Sequence, residues 1–113
     1  MAYNDSTRIL PEPCRTLGFA SIVAGYTAIG DPLAHPSRML IIQNMTDESV
    51  WLSWDGVSNH VPLQAGMTFI HDITANAGPA GSFAAKETQF YIKRLGIPTS
   101  GSVYISSFYG KEV

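Results

Sequence analysis

The segment WLSWDGVSNH, residues 51–60, collects residue types that can perform chemistry: two tryptophans, an acid, an amide and a histidine. Together they could bind a sugar, hold a metal ion or relay a proton. The dipeptide Asp55-Gly56 also tolerates the positive φ of a hairpin turn, and it stands between an alternating segment and the apolar run HVPL. We therefore predict that residues 55–59 form a hairpin loop.

A metal site is not predicted anywhere in the chain. Calcium takes about six to eight oxygen ligands, and the loop at 55–59 offers a single acid. The three histidines, His35, His60 and His71, have neither HxH spacing nor a CxxC partner, so no zinc site is indicated. His71 and Asp72 are adjacent on a predicted strand, so their side chains point to opposite faces and cannot form a dyad.

No nucleophile has the neighbours that would activate it. The segment around Ser58 lacks the second glycine of a GxSxG motif, and Cys14 lies in a proline-rich segment without an activating partner. GIPTSG, residues 96–101, is followed by neither a lysine nor a helix and so is not a phosphate loop. We expect no catalytic residues, no cofactor and no enzymatic activity.

Composition narrows the class of protein. The chain has 113 residues, of which 45% are hydrophobic and 14% charged, which is typical of one ordered globular domain. Its net charge of −2 and scattered basic residues argue against a nucleic-acid partner. There is no apolar run of about 18 to 20 residues and no signal-like N-terminus, so we expect no membrane partner. The lone Cys14 excludes an intrachain disulfide and indicates folding in a reducing cytoplasm.

The elements that must position these side chains are strands. Short runs of β-branched and aromatic residues alternate with turn formers, and no segment shows a clear helical period. The predicted strands cover residues 17–24, 26–29, 38–44, 49–54, 60–63, 67–73, 83–85, 88–94 and 102–109. This pattern predicts an all-β, single-domain antiparallel β-sandwich, jelly-roll-like, over residues 17–113, preceded by an irregular, extended N-terminal arm over residues 1–16. A small closed barrel is the alternative.

Several aromatic side chains fall on the outward register of their strands, where an antiparallel sheet usually presents polar groups to water. A face of this kind indicates a surface that other chains cover. The arm, too polar and proline-rich to fold alone, could order on a partner and lengthen such a contact. The candidate interaction residues are Trp51, Tyr91, Tyr104 and Phe108 on strands, and Leu10, Pro11 and Pro13 in the arm.

A series of sequence landmarks carries a resemblance to a known group of proteins. The landmarks are RTLGFASIVAGYTAIGDPL, SRMLIIQNMTDESVWLSWDG, DITAN, FAAKETQFYIKR and PTSGSVYISSFYG. In this order they resemble small structural proteins of tailed-bacteriophage virions, over residues 17–110. The resemblance implies a non-enzymatic component present in many copies. Such proteins serve as capsid cement or decoration, and others lie at the head-to-tail joint or on the tail.

Together these features predict a capsid decoration subunit, made in the host cytoplasm and located in the virion. It would stabilise the head as a homo-oligomer, through contacts with the major capsid protein and with its own copies. A neck or tail component is the alternative within the same class. A carbohydrate- or receptor-binding module on the virion is a second alternative, favoured by Trp51 and the tyrosines.

Overall fold

A computed structural model describes residues 7–72 and 86–112 of the chain. Within these ranges the regular structure is strand, apart from one turn of 3₁₀ helix at Phe19–Ser21. The strands form two antiparallel sheets that pack together, so the predicted β-sandwich is confirmed. The predicted strand at residues 83–85 lies outside the described residues.

Nine strands make up the described part of the two sheets. They are β1 (Thr7–Pro11), β2 (Arg15–Gly18), β3 (Thr27–Ala28), β4 (Ser37–Asn44), β5 (Val50–Ser53), β6 (Val61–Leu63), β7 (Thr68–Asp72), β8 (Tyr91–Arg94) and β9 (Ser102–Glu112). Sheet A has the order β1-β9-β4-β7, with β2 also paired to β9, and sheet B has the order β3-β8-β5-β6. Because β2 pairs with the first part of β9 and β1 with the last part, both occupy the same side of that strand.

The core lies between the two sheets and follows the alternation of each strand. Val50 and Leu52 of β5 are fully buried, as are Val103 and Ile105 of β9, because every second side chain of a strand points to the same face. Ile42 of β4 joins them from the centre of sheet A. Each such side chain contributes roughly 1.5–3 kcal/mol when it leaves water, so this alternation drives the packing of the sheets.

The strand predicted at residues 17–24 is shorter than expected and begins earlier, at Arg15. Beyond Gly18 the chain turns instead of extending. Phe19 donates its N–H to the carbonyl of Gly101 at 3.0 Å, and Ile22 donates to Phe19 at 3.1 Å. Phe19 and Ala20 are not buried in this turn. The local composition predicted a strand here, but the hydrogen bonds to Gly101 and within the turn replace strand pairing.

The N-terminal segment is extended, and part of it forms regular structure. Residues 7–11 pair one by one with β9 from Glu112 to Phe108, and Glu12 continues the ladder by donating its N–H to Ser107 at 2.9 Å. The long outer half of β9 provides the edge on which this segment orders. Pro11, which has no N–H to donate, is the last residue of β1, a position that strands tolerate.

Candidate interaction surfaces

The outer face of sheet A is built almost without charge. The pairing registers align its outward residues in rows across β7, β4, β9 and the neighbouring β1 or β2. We call this the sheet A face, and its described side chains are Ile9, Pro11, Cys14, Thr16, Met39, Ile41, Gln43, Thr68, Ile70, Tyr104, Ser106 and Phe108. None of them carries a formal charge. Asp72 and Glu112 are the last residues of β7 and β9, and Arg38 is the extra residue of a bulge at the start of β4.

The same face leaves large apolar side chains in contact with water. Ile70 is 60% exposed and lies beside Ile41, which in turn pairs with Ser106. In the next row, Met39 and Phe108 are half-buried neighbours. Depletion of charge with enrichment of aromatic residues and methionine is the composition of an interface centre, whereas solvated sheet faces are polar.

The outer face of sheet B carries a second aromatic cluster. The register places Trp51 between Pro62 of β6 and Lys93 of β8, and the Lys93 ammonium lies 4.9 Å from the centre of the Tyr26 ring. Tyr91, one row away, packs its ring over Gly56. We call Tyr26, Trp51, Tyr91 and Lys93 the sheet B cluster. A cation over an aromatic ring contributes about 0.5–1 kcal/mol at an exposed site, and the Tyr26 hydroxyl also donates a hydrogen bond to the Asn59 side-chain oxygen.

The loop at 55–59 closes the hairpin of β5 and β6, as predicted. Asp55 accepts hydrogen bonds from the N–H groups of Ser58 and Val57 at 2.8 Å each, and these bonds hold the pKa of Asp55 well below its usual range. Gly56, at φ +76°, supplies the left-handed backbone that the turn requires. The Asp55 carboxylate therefore shapes the loop, because its Oδ1 accepts from these two N–H groups and from the Ser53 hydroxyl.

Sequence reasoning missed a buried polar group that holds the arm. Glu12 and Arg15 are each 7% exposed, and their side chains meet at 2.8 Å. Glu12 also accepts from the N–H of His35 at 2.9 Å and lies 3.0 Å from the His35 ring, which stacks on Tyr109 with centroids 3.7 Å apart. Arg15 donates to the carbonyl of Asp31 at 2.7 Å. We call Glu12, Arg15, His35 and Tyr109 the arm anchor.

The charged groups of the arm anchor, Glu12 and Arg15, pair with each other. The anchor borders a cleft of about 360 Å³ between the arm and the segment at 30–35. Burial alone raises the pKa of Glu12, but the hydrogen bonds from Arg15 and His35 and from the backbone of Ala34 and His35 outweigh it, and the net effect lowers that pKa. No buried side-chain nitrogen or oxygen among the described residues lacks a hydrogen-bond partner. The buried polar groups of the anchor are therefore all paired within the fold, as expected of a structural role.

No family model, curated protein or solved structure matches this chain. In the ranges that the structure describes, no three His, Cys, Asp or Glu side chains are arranged to hold a metal ion. No helix in those ranges is long and apolar enough to cross a bilayer. The surfaces described above are therefore the observations that bear on the function of this chain.

The predicted contact residues do not lie on one surface. Tyr104, Phe108 and Pro11 are on the sheet A face, whereas Trp51 and Tyr91 are on the opposite side of the molecule, in the sheet B cluster. Leu10 pairs with Tyr109, and its side chain lies on the opposite face of β1 from that of Pro11. Pro13 is exposed beside the cleft. Alternation along each strand predicted which side chains point outward, but it could not assign the strands to sheets.

Proposed function

We propose that the chain is a non-enzymatic structural protein of a tailed-phage virion, a decoration subunit that stabilises the head by contacts with the major capsid protein and with its own copies. The observation that carries this proposal is the sheet A face. Its apolar and neutral polar side chains would be covered in an assembled particle, where burial of about 800 Å² per partner is the usual scale of a stable contact. The resemblance of the sequence landmarks to small phage virion proteins supports the same class.

The arm supports an assembly role as well. Pro11 and Pro13 are exposed, and the pairing of β1 with β9 and the arm anchor hold them in fixed positions on the sandwich. A segment already ordered on the fold loses little conformational entropy when a partner binds it. The capsid protein is the partner we assign to the arm.

Copy number tests the proposal and separates its two versions. Quantitative mass spectrometry of purified virions should find hundreds of copies per particle, and purified chain should bind heads that lack it and raise their resistance to heat. A dozen copies or fewer would favour the neck or tail version. Absence from virions, together with failure to bind heads and tails, would overturn the proposal.

The sheet B cluster favours a second candidate function, a glycan-binding module on the virion. Trp51 offers a ring face, and Lys93 pairs with it in the register. The loop residue Asn59 is joined to the cluster by the hydrogen bond from the Tyr26 hydroxyl. Lys93 and Asn59 could bind the acidic or hydroxyl groups of a sugar. Substitution Trp51→Ala separates the candidates, with Tyr104→Ala on the opposite face as its control. Loss of adsorption to host cells with unchanged head binding, for Trp51→Ala alone, would favour the glycan module over the decoration subunit.

A further inference from the structure

We infer that the sheet A face binds the same face of a second copy of this chain, forming a two-fold symmetric dimer. This inference names the partner that covers one surface of the proposed decoration subunit. It rests on the proposed function only in assuming that the sheet A face is covered in the assembled particle. The sheet B cluster and Pro13, which lie outside the sheet A face, remain available for different neighbours.

Charge is the first argument for a second copy. In a two-fold dimer the same patch is used by both subunits, so any net charge on the patch meets its own sign. The sheet A face limits this repulsion, because its described side chains are neutral although the whole chain carries 7 basic and 9 acidic residues. The acidic residues Asp72 and Glu112 enter its strands only as the last residues of β7 and β9. A partner with a charged docking surface would find no opposite charge here and would leave its own charges desolvated.

Size is the second argument. β9 has 11 residues, which at about 3.3 Å each extend roughly 36 Å, and β4 beside it has 8. Four strands about 4.8 Å apart add a width of roughly 15–19 Å, which gives a flat footprint on the order of 500 Å². Protruding side chains make the accessible area larger than this footprint. The face therefore approaches the roughly 600–800 Å² per subunit that a specific dimer buries.

Shape is the third argument, because large and small side chains of the central row lie on opposite halves of the face. This row runs Cys14, Ser106, Ile41, Ile70 across the sheet, from the residue before β2 to β7. A two-fold axis along the strands, between β9 and β4, would place the β7 half of one copy over the β2 half of the other. Ile70 would then lie against Cys14 and Ile41 against Ser106, so each large side chain of this row meets a small one. In the adjacent rows Met39 would lie against Phe108, a methionine–aromatic contact, and Gln43 against Tyr104.

Sedimentation equilibrium on the purified full chain tests the dimer directly. Ile70→Lys places a charge within the contact, opposite Cys14 of the second copy, and should raise the dimer dissociation constant by roughly a hundredfold or more, since a buried unpaired charge is costly. Ile97→Lys is the matched control, because Ile97 is 68% exposed against 60% for Ile70 and lies in the connection between β8 and β9. It should leave the dimer intact. A wild-type chain that stays monomeric up to about 100 μM would overturn the inference.

The native thiol gives a second readout that needs no substitution. Cys14 is exposed in the single chain and accepts a hydrogen bond from the Ser106 hydroxyl on the sheet A face. Its rate of reaction with a small disulfide reagent should fall as protein concentration rises through the dimer dissociation constant, and should not fall for Ile70→Lys. A dimer whose Cys14 reacts as fast as in the monomer would place the contact elsewhere and overturn the inference.

The dimer and the proposed function fail separately. An Ile70→Lys chain that is monomeric yet still coats heads would leave both statements standing. A wild-type monomer that coats heads would overturn the dimer alone, and a wild-type dimer absent from virions that binds neither heads nor tails would overturn the virion function alone.

Discussion

Glu12 is the single residue on which the attachment of the arm most depends. Its side chain is 3% exposed and joins Arg15, Ala34 and His35, which otherwise share no hydrogen bond. Substitution Glu12→Gln keeps the size but leaves the buried Arg15 guanidinium without its counter-charge. We expect the free energy of unfolding to fall by about 3 kcal/mol, measured by urea denaturation at pH 7.

Acid should act on the same carboxylate. The pKa of Glu12 is lower in the folded chain than its ordinary value of 4.5, so its ionised form stabilises the fold. That stabilisation is complete above about pH 4.5 and is lost as the pH falls through the lower pKa of the folded state. Glu12→Gln should therefore flatten the pH dependence of stability below about pH 4.5, relative to the wild type. If both chains lost stability in parallel there, Glu12 would not be the titrating group.

At the scale of elements, the connection at 95–101 fixes the start of β9 against the end of β4. Gly101, at φ +87°, passes so close to the 45–46 backbone that an added Cβ would overlap the carbonyl oxygen of Met45. Asp47 reaches the other side of the connection, where it accepts the N–H of Thr99 at 2.8 Å. These contacts join two loops that are about fifty residues apart in sequence, and so couple the strands on which the sheet A face is built.

Gly101→Ala should therefore be far more costly than glycine substitution elsewhere. Gly66 is the matched control, because it has a similar φ of +77° but open space around the position of a Cβ. We expect Gly66→Ala to cost about 1 kcal/mol from backbone strain alone, and Gly101→Ala about 3 kcal/mol or more because the 45–46 backbone must also move. Thermal denaturation measures both. Equal losses would show that the close approach is relaxed in solution.

Local signals predicted the elements whose structure is decided locally. The hairpin at 55–59 followed from Asp55-Gly56, and the burial of Val103 and Ile105 followed from alternation along β9. Contacts between residues far apart in the sequence could not be predicted in this way. Glu12 meets His35 across 23 positions of sequence, and nothing near either residue records the partner. The separation of Trp51 from Tyr104 onto opposite faces likewise depends on sheet order, which periodicity does not determine.

At the scale of the whole molecule, the chain combines a sandwich packed around its own core with apolar and aromatic side chains on its two outer faces. The core cluster and the hydrophobic residues packed against it run from Leu17 to Ile105, and include no residue of β1. The sheet A face, which includes Ile9 and Pro11 of the arm, lies on one side, and the sheet B cluster lies on the other. Under the proposed function, these two opposite surfaces would let one subunit contact more than one neighbour.

Deletion of residues 1–11 tests whether the arm serves the fold or the assembly. This truncation removes β1 but retains Glu12 and Arg15, and with them the arm anchor. Because β1 contributes hydrogen bonds to β9 but no core side chain, and ordering its backbone costs entropy of similar size, we expect unfolding free energy to fall by no more than about 2 kcal/mol. Binding to bare heads should fall sharply, with Ile97→Lys as a full-length control. A truncated chain that binds heads as tightly as the wild type would exclude the arm from the capsid contact, and one that no longer folds would show that β1 belongs to the sandwich itself.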